Sequence, residues 1–176
     1  MGMTITAEEF EQLYRSTAPQ LFAYLRRRTS IEVEDLVADV FVTAWRRRSE
    51  LPTPDLRRAW LFGAARRVLL AECRRRRHQH EVVGQLLVEP DPGFDGDDQR
   101  NREVVAAALG RLRSDDRELI QLIEWERLSP AEVAVVLGFR PATARVRLYR
   151  ARQALAADPE LGALIERRAV PVESER

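Results

Sequence analysis

The chain has 176 residues, 45% of them apolar, and no run of 18 apolar residues, so it can bury one or two modest cores and is not expected to insert in a membrane. Its lone cysteine, Cys73, excludes an intramolecular disulfide. The first residues lack the basic-then-apolar order of a secretion signal, which makes the cytoplasm the expected compartment. The formal net charge of +1 conceals a strong asymmetry. All 29 basic residues are arginine; residues 1–80 hold fifteen of them against ten acids, and residues 81–100 hold one against six. Arginine is the better bidentate ligand for phosphate and guanine.

In chain order, Thr6 and Glu9 form a capping box that opens a helix carrying Phe10, Leu13 and Tyr14 on one side. Pro19 is expected to interrupt it. Leu21, Phe22, Tyr24 and Leu25 resume the pattern, which ends in Arg26-Arg27-Arg28, cations that complement a helix C-terminus. In the second helix Val33, Leu36, Val37, Val40, Phe41, Ala44 and Trp45 follow the spacing of a buried stripe. Its acids gather in the early turns and its arginines at the end, as the dipole favours, but Asp39 sits mid-helix where the dipole does not require it.

Pro52 and Pro54 exclude a continuous helix through residues 49–54. Asp55 then opens a long and very basic helix, on which Leu56, Trp60, Ala64, Val68 and Ala71 are placed to face a core. Residues 81–100 are acidic, rich in proline and glycine and without periodicity, the composition of a flexible linker. Beyond it Val104, Val105, Ala108, Leu109 and Leu112 form a helix, and Ser114 is placed to cap another that carries Leu119, Ile120, Leu122 and Ile123.

The strongest local signal is LSPAEVAVVLGFRPATARVRLYRARQAL, residues 128–155. Ser129, Pro130 and Glu132 make a capping box with proline at the first helical position, and Gly138 suits a left-handed helix end. Pro141 opens a second helix on which Ala144, Leu148, Ala151 and Leu155 line up, with Val146, Tyr149 and Arg150 on the far side. From Leu137 to Leu155 there are five arginines and no acid. Two short helices about a glycine turn, the second cationic, make a helix-turn-helix suited to nucleic-acid phosphates. The fold expected is therefore all-α: an N-terminal helical bundle and a C-terminal helix-turn-helix domain joined by a flexible acidic linker.

A catalytic constellation is absent. No glycine-rich phosphate loop follows a strand, and there is no nucleophile elbow. Cys73, His78 and His80 lie close in sequence but lack a fourth ligand, so neither a metal nor another cofactor is expected.

Four segments in one order, Phe10–Arg28, DLVADVFVTAWR (Asp35–Arg46), RAWLFGAARRVLLAECRRRR (Arg58–Arg77) and LSPAEVAVVLGFRPATARVRLYRAR (Leu128–Arg152), resemble the sigma-70 family of bacterial transcription initiation factors, in its extracytoplasmic-function group. The resemblance implies a sigma-2-like domain over residues 1–80, a linker over 81–100, a sigma-4-like domain over 101–157 and a tail over 158–176. It implies binding to core RNA polymerase and to promoter DNA, with an anti-sigma factor as a further possible partner. The resemblance assigns Asp35, Asp39 and Thr43 to polymerase. Ser49, Glu50, Arg57, Arg58, Trp60, Arg66, Arg67 and Arg74, Arg75, Arg76 and Arg77 fall to minus-ten DNA, although the helical phase of Trp60 favours the core and the last four are also readable as a solvated helix end. The minus-thirty-five element falls to Arg140, Thr143, Arg145, Val146, Arg147, Tyr149 and Arg150, with Arg147 alternatively bracing the domain against Glu132. Where the family often has glycine and proline, this chain has Arg127 and Arg113, and both departures bear on turn geometry. The two domains are expected to move independently through residues 81–100. A polymerase-independent DNA-binding regulator and a helical interaction adaptor are the competing functions.

Overall fold

The computed structural model describes residues 5–30, 32–79 and 96–169, with backbone only at 77–79, 96–98 and 168–169. Among these residues there are eight helices and no strand: α1 (Ala7–Arg26), α2 (Val33–Arg46), α3 (Pro54–Gln79), α4 (Gly96–Arg111), α5 (Ser114–Glu124), α6 (Pro130–Leu137), α7 (Pro141–Ala156) and α8 (Pro159–Ala169). The capping box at Thr6 closes as expected, with Thr6 Oγ1 accepting from the Glu9 amide at 3.2 Å. Pro19, however, lies inside an unbroken α1. An interior proline costs about 3 kcal/mol. The apolar side continues through it, and Leu21, Tyr24 and Leu25 are fully buried, each contributing about 1.5–3 kcal/mol. Packing outweighs the missing hydrogen bond.

In the N-terminal unit α1, α2 and α3 pack around Leu21, Tyr24, Val40, Phe41, Leu61 and Phe62. The stripe read for α2 is buried from Val33 to Ala44, but Trp45 is 41% exposed rather than in the core. In α3 the stripe read from the sequence is misphased. Ala59, Leu61, Phe62, Ala64, Ala65 and Leu69 are buried, Leu56, Trp60 and Val68 are half-buried, and Ala71 is exposed. The cause is packing on two sides: α1 and α2 cover one flank of α3 and α6 covers another, so five consecutive residues from Leu61 to Ala65 lose solvent and no single stripe marks the core.

In the C-terminal unit the helix-turn-helix forms as its sequence dictates. Ser129 Oγ accepts from the Glu132 amide at 3.2 Å, Glu132 Oε2 accepts from the Ser129 amide at 2.8 Å, and Gly138 ends α6 with φ of 71°. Ala144, Leu148 and Ala151 of α7 are buried against α5 and α6. At α5 the capping residue is Arg113, with no side-chain bond, and Ser114 is already helical. The helix α4 starts at Gly96, five residues inside the stretch read as linker, while α8 falls in the stretch read as tail. Asp158 caps α8 by accepting from the Glu160 and Leu161 amides at 3.1 Å, and it also pairs with Arg111 at the end of α4.

The two units are in contact. Gly63 of α3 faces the α6 backbone, where a β-carbon would meet Val136 Cα at 3.6 Å, an ordinary van der Waals contact. A reading along the chain expects independent movement because it has no means of pairing arginines and acids 52 to 99 residues apart.

Candidate polymerase and nucleic-acid interfaces

Three groups of side chains emerge. On α2, Asp35, Ala38, Asp39 and Val42 share an outward stripe, with Thr43 half-buried beside it. Val42 is 47% exposed and was not singled out from the sequence. Its signal was an apolar residue at an outward position of an otherwise acidic stripe. On the adjoining side the exposed ring of Trp45 packs edge-on to Phe10 at 5.0 Å, and the Arg48 guanidinium lies 4.8 Å above it.

The second group follows α2 into α3. Ser49 and Glu50 are exposed, and Glu50 is held by Arg47 at 2.7 Å. Arg57 is largely withdrawn: its side chain is 11% exposed and lies 3.8 Å from Glu9. Arg58 donates to Gln20 Oε1 at 2.9 Å, to the Glu126 carbonyl at 2.5 Å and to Glu132 Oε1 at 3.3 Å. Arg66 donates to Glu118 Oε2 at 2.9 Å; burial opposes its charge, but the Glu118 carboxylate more than compensates and raises its pKa. Arg57, Arg58 and Arg66, expected to face DNA, are thus engaged within the protein in this conformation. Arg67 is exposed, its guanidinium 5.9 Å from the half-buried ring of Trp60. Trp60 is therefore neither fully core nor free. Arg74 is exposed, whereas Arg75 and Arg76 bind Glu72 at 2.7 and 3.0 Å and hold its carboxyl down to about 2. The side chains of Arg77 and His78, and His80 altogether, lie outside the described residues. Among the described residues no group of three His, Cys, Asp or Glu is placed to hold a metal.

The third group is on α7. Val146 is 50% and Tyr149 66% exposed, and Arg145, Arg150, Thr143 and Arg140 are exposed around them. No acid among the described residues reaches Arg140, Arg145 or Arg150. Arg147 differs. Its Nε donates to Asp116 at 2.6 Å, Asp115 lies at 3.5 Å, and its guanidinium covers the Phe139 ring at 4.6 Å. The hydrogen bond to Asp116 is the main reason its pKa is raised. Arg147 does brace the domain, but against α5 and not against Glu132, whose carboxylate is shared by the α6 cap and Arg58. Arg152 is likewise paired, with Glu124 at 2.9 Å.

Residues 13–79 match the family model described as Sigma-70 region 2, and residues 102–155 match Sigma-70, region 4. The chain is 32% identical over 150 residues to the ECF RNA polymerase sigma factor SigL of Mycobacterium tuberculosis, covering 81% of this chain and 84% of that protein. Its fold is similar to that of the sigma factor RpoE of Bartonella quintana, solved in complex with the anti-sigma factor NepR, with a TM-score of 0.64 and 26% identity over 90% of this chain and 99% of that one. It is also similar to CnrH, solved in complex with the cytosolic domain of CnrY, with a TM-score of 0.52 and 25% identity over 93% and 92% of the two chains.

Proposed function

The chain belongs to the extracytoplasmic-function group of the sigma-70 family, and from that premise we propose how its surfaces divide the work of promoter-specific transcription initiation. Residues 1–80 form the unit that holds core RNA polymerase and the minus-ten element, and residues 101–157 the unit that reads the minus-thirty-five element. Residues 81–100 connect them and 158–176 form the tail.

The stripe of Asp35, Asp39, Thr43 and Val42 meets polymerase. Two outward carboxylates beside an exposed apolar side chain suit a partner surface that is basic with an apolar centre. Ser49, Glu50, Arg58, Arg66, Arg67 and Trp60 bear on the minus-ten strand, Arg67 and Trp60 by stacking and the others by polar contact; stacking contributes about 1–3 kcal/mol per base. Arg57 supports that face from beneath, and Arg74 to Arg77 meet duplex phosphates beside it. On α7, Arg145, Val146, Tyr149 and Arg150 read bases while Arg140 and Thr143 hold phosphates. A bidentate arginine–guanine pair discriminates by about 1–3 kcal/mol, and an apolar side chain such as Val146 suits a thymine methyl. Arg147 keeps α7 in place on α5 instead of reading DNA. The protein works in the cytoplasm, where polymerase is; no described helix is long and apolar enough to cross a membrane. An anti-sigma factor is a fitting partner because RpoE, whose fold this chain shares, was solved with one.

The observation that carries this reading is the outward face of α7, where exposed arginines without acidic partners flank Val146 and Tyr149. The test is reconstitution with core polymerase. The complex is expected to be stoichiometric, to initiate at specific promoters, and to fail to form when Asp35→Arg and Asp39→Arg are combined. A chain that binds promoter DNA but never co-elutes with polymerase would establish the polymerase-independent regulator instead.

A further inference from the structure

Three hydroxyl residues of the chain have arginine at both the second and the third position before them: Thr29, Ser30 and Ser49. Two cations at that spacing, ahead of an accessible hydroxyl, are the charge pattern by which a serine kinase with an acidic substrate cleft selects its acceptor. The sequence pattern is the same at all three, and the fold separates them.

Thr29 and Ser30 draw their cations from Arg26-Arg27-Arg28, two of which are engaged inside the protein. Arg27 donates to both carboxylate oxygens of Glu126, at 2.7 and 2.8 Å. Arg28 reaches the same carboxylate at 3.3 Å and the Tyr24 carbonyl at 3.0 Å. The Arg28 side chain is 7% exposed and that of Glu126 3%, and Thr29 is itself half-buried. A kinase would have to pull two guanidiniums out of a buried ion pair to use this segment.

Ser49 has no such obstacle. It is exposed in the connection between α2 and α3, and Arg46, Arg47 and Arg48 before it are exposed as well. Arg47 donates to Glu50 Oε2 through Nε and Nη2, at 3.0 and 2.7 Å, in a solvated pair that gives way readily to another anion. Arg48 rests on the Trp45 ring and donates to the Trp45 carbonyl at 3.2 Å, which leaves the connection itself unobstructed.

We propose that Ser49 is the acceptor of an arginine-directed serine kinase, and that its phosphate switches off the minus-ten face while polymerase binding persists. In the step, Ser49 Oγ attacks the γ-phosphorus of a nucleoside triphosphate, and the bond from that phosphorus to the bridging oxygen breaks. The nucleoside diphosphate leaves, and the hydroxyl proton passes to the kinase's base. The consequence is electrostatic. Three arginines against Glu50 give residues 46–50 a charge of plus two, and a phosphate brings about −1.5 to −2, so the segment becomes almost neutral. The phosphate also takes Arg47 from Glu50, being the more highly charged acceptor. A cationic turn then presents a fixed phosphate of its own to the DNA strand. Asp39, the nearer of the two carboxylates proposed to meet polymerase, lies ten residues back. That is about 15 Å along a helix, beyond a Debye length at physiological salt. The loss of strand binding rests on the assignment of Ser49 and Glu50 to the minus-ten element; the acceptor site does not.

The experiment incubates the full chain with ATP and the catalytic subunit of cyclic-AMP-dependent protein kinase, an arginine-directed enzyme, and maps phosphate by mass spectrometry. Phosphate is expected on Ser49 at least about tenfold faster than on Thr29 or Ser30, because a surface loop opens at little cost and a buried pair does not. Ser49→Ala should abolish the fast phase, and Arg46→Gln with Arg47→Gln should slow it by about tenfold. The phosphorylated chain should bind a fluorescent minus-ten single strand about tenfold to thirtyfold more weakly at about 0.1 M salt. The slope of log affinity on log salt should be shallower by about 1.4, as for two lost contacts to a single strand. Phosphatase should restore both, and co-elution with core polymerase should be unchanged throughout. Phosphate on Thr29 or Ser30 as fast as on Ser49, or none on Ser49, would overturn the site. Undiminished strand affinity with Ser49 fully phosphorylated would overturn the switch. Arg67→Ala in the unphosphorylated chain tests the minus-ten face by itself, through an expected loss of strand affinity, so a failed switch and a failed minus-ten assignment are told apart.

Discussion

The two arginine-rich helices have opposite electrostatic surroundings. In α3 the arginines nearest the centre of the molecule, Arg58 and Arg66, are satisfied by carboxylates 74 and 52 residues away. In α7 the arginines divide by side: Arg147 and Arg152 turn back to acids of α5, while Arg145 and Arg150 face outward with none. A cationic helix is thus no single kind of site. Whether a given arginine is ready for DNA depends on which acids the fold brings beside it, and this separates a reader that is permanently presented from one that is masked.

The sharpest way to break this contrast is at the unpaired arginine. Arg150→Ala removes a side chain with no described internal partner, so thermal stability should stay within about 0.5 kcal/mol of the parent. Affinity for the preferred minus-thirty-five duplex should fall by about tenfold to a hundredfold, the equivalent of 1–3 kcal/mol. Competition binding against duplexes altered at single positions checks both the loss and its specificity. A loss of equal size on every duplex would make Arg150 a phosphate contact.

Arg147→Ala should do the reverse. It leaves Asp116 and Asp115 facing each other's charge without their cation and uncovers Phe139. About 1–2 kcal/mol of stability should go, through the lost charge-assisted hydrogen bond and cation–π contact. Thermal unfolding followed by circular dichroism should show a midpoint lower by a few degrees, with the ranking of DNA sequences unchanged. A reordered ranking would return Arg147 to the readout face. Arg147→Lys should recover only part of the stability, because a point charge cannot reproduce the guanidinium's fork.

The same contrast explains what a sequence reader could see. The helix-turn-helix was legible almost residue by residue, since Ser129, Glu132, Gly138 and Pro141 act over a turn or less and their roles do not depend on the rest of the fold. The outward set of Val146, Tyr149 and Arg150 followed from helical phase alone. The buried residues of α3 were not legible. A helix covered on two sides carries no single apolar stripe, and the small residues Gly63, Ala64 and Ala65 give little hint that another helix passes over them. Nor were the partners of Arg27, Arg28, Arg58 and Arg66. Charge complementarity between distant segments has no period, and Glu118, Glu126 and Glu132 occur singly, unlike the acidic run at 81–100. Trp45 departs from the core expected of it because helical phase puts it at the edge of the buried stripe, where Phe10 covers only one side of the indole.

The smallest expected effect lies at Arg127, the single non-glycine residue with positive φ among those described, at 55°. The left-handed conformation costs an L-residue about 1–2 kcal/mol. The fold imposes it because the turn has two fixed ends: the Leu128 amide returns to the Leu122 carbonyl at 3.1 Å, and the Glu126 carbonyl meets Arg58. Arginine here adopts a conformation that glycine would reach without that cost. Arg127→Gly should relieve that strain, but glycine also adds about 0.5–1 kcal/mol of unfolded-chain entropy to be lost on folding. The net gain should be less than about 1 kcal/mol, visible as a small rise in the urea midpoint at unchanged slope. Because Glu126 sits at the same turn, a relaxed backbone should also leave the contact between the units at least as closed as in the parent. A lower midpoint would mean that the exposed Arg127 side chain contributes more than its backbone conformation costs.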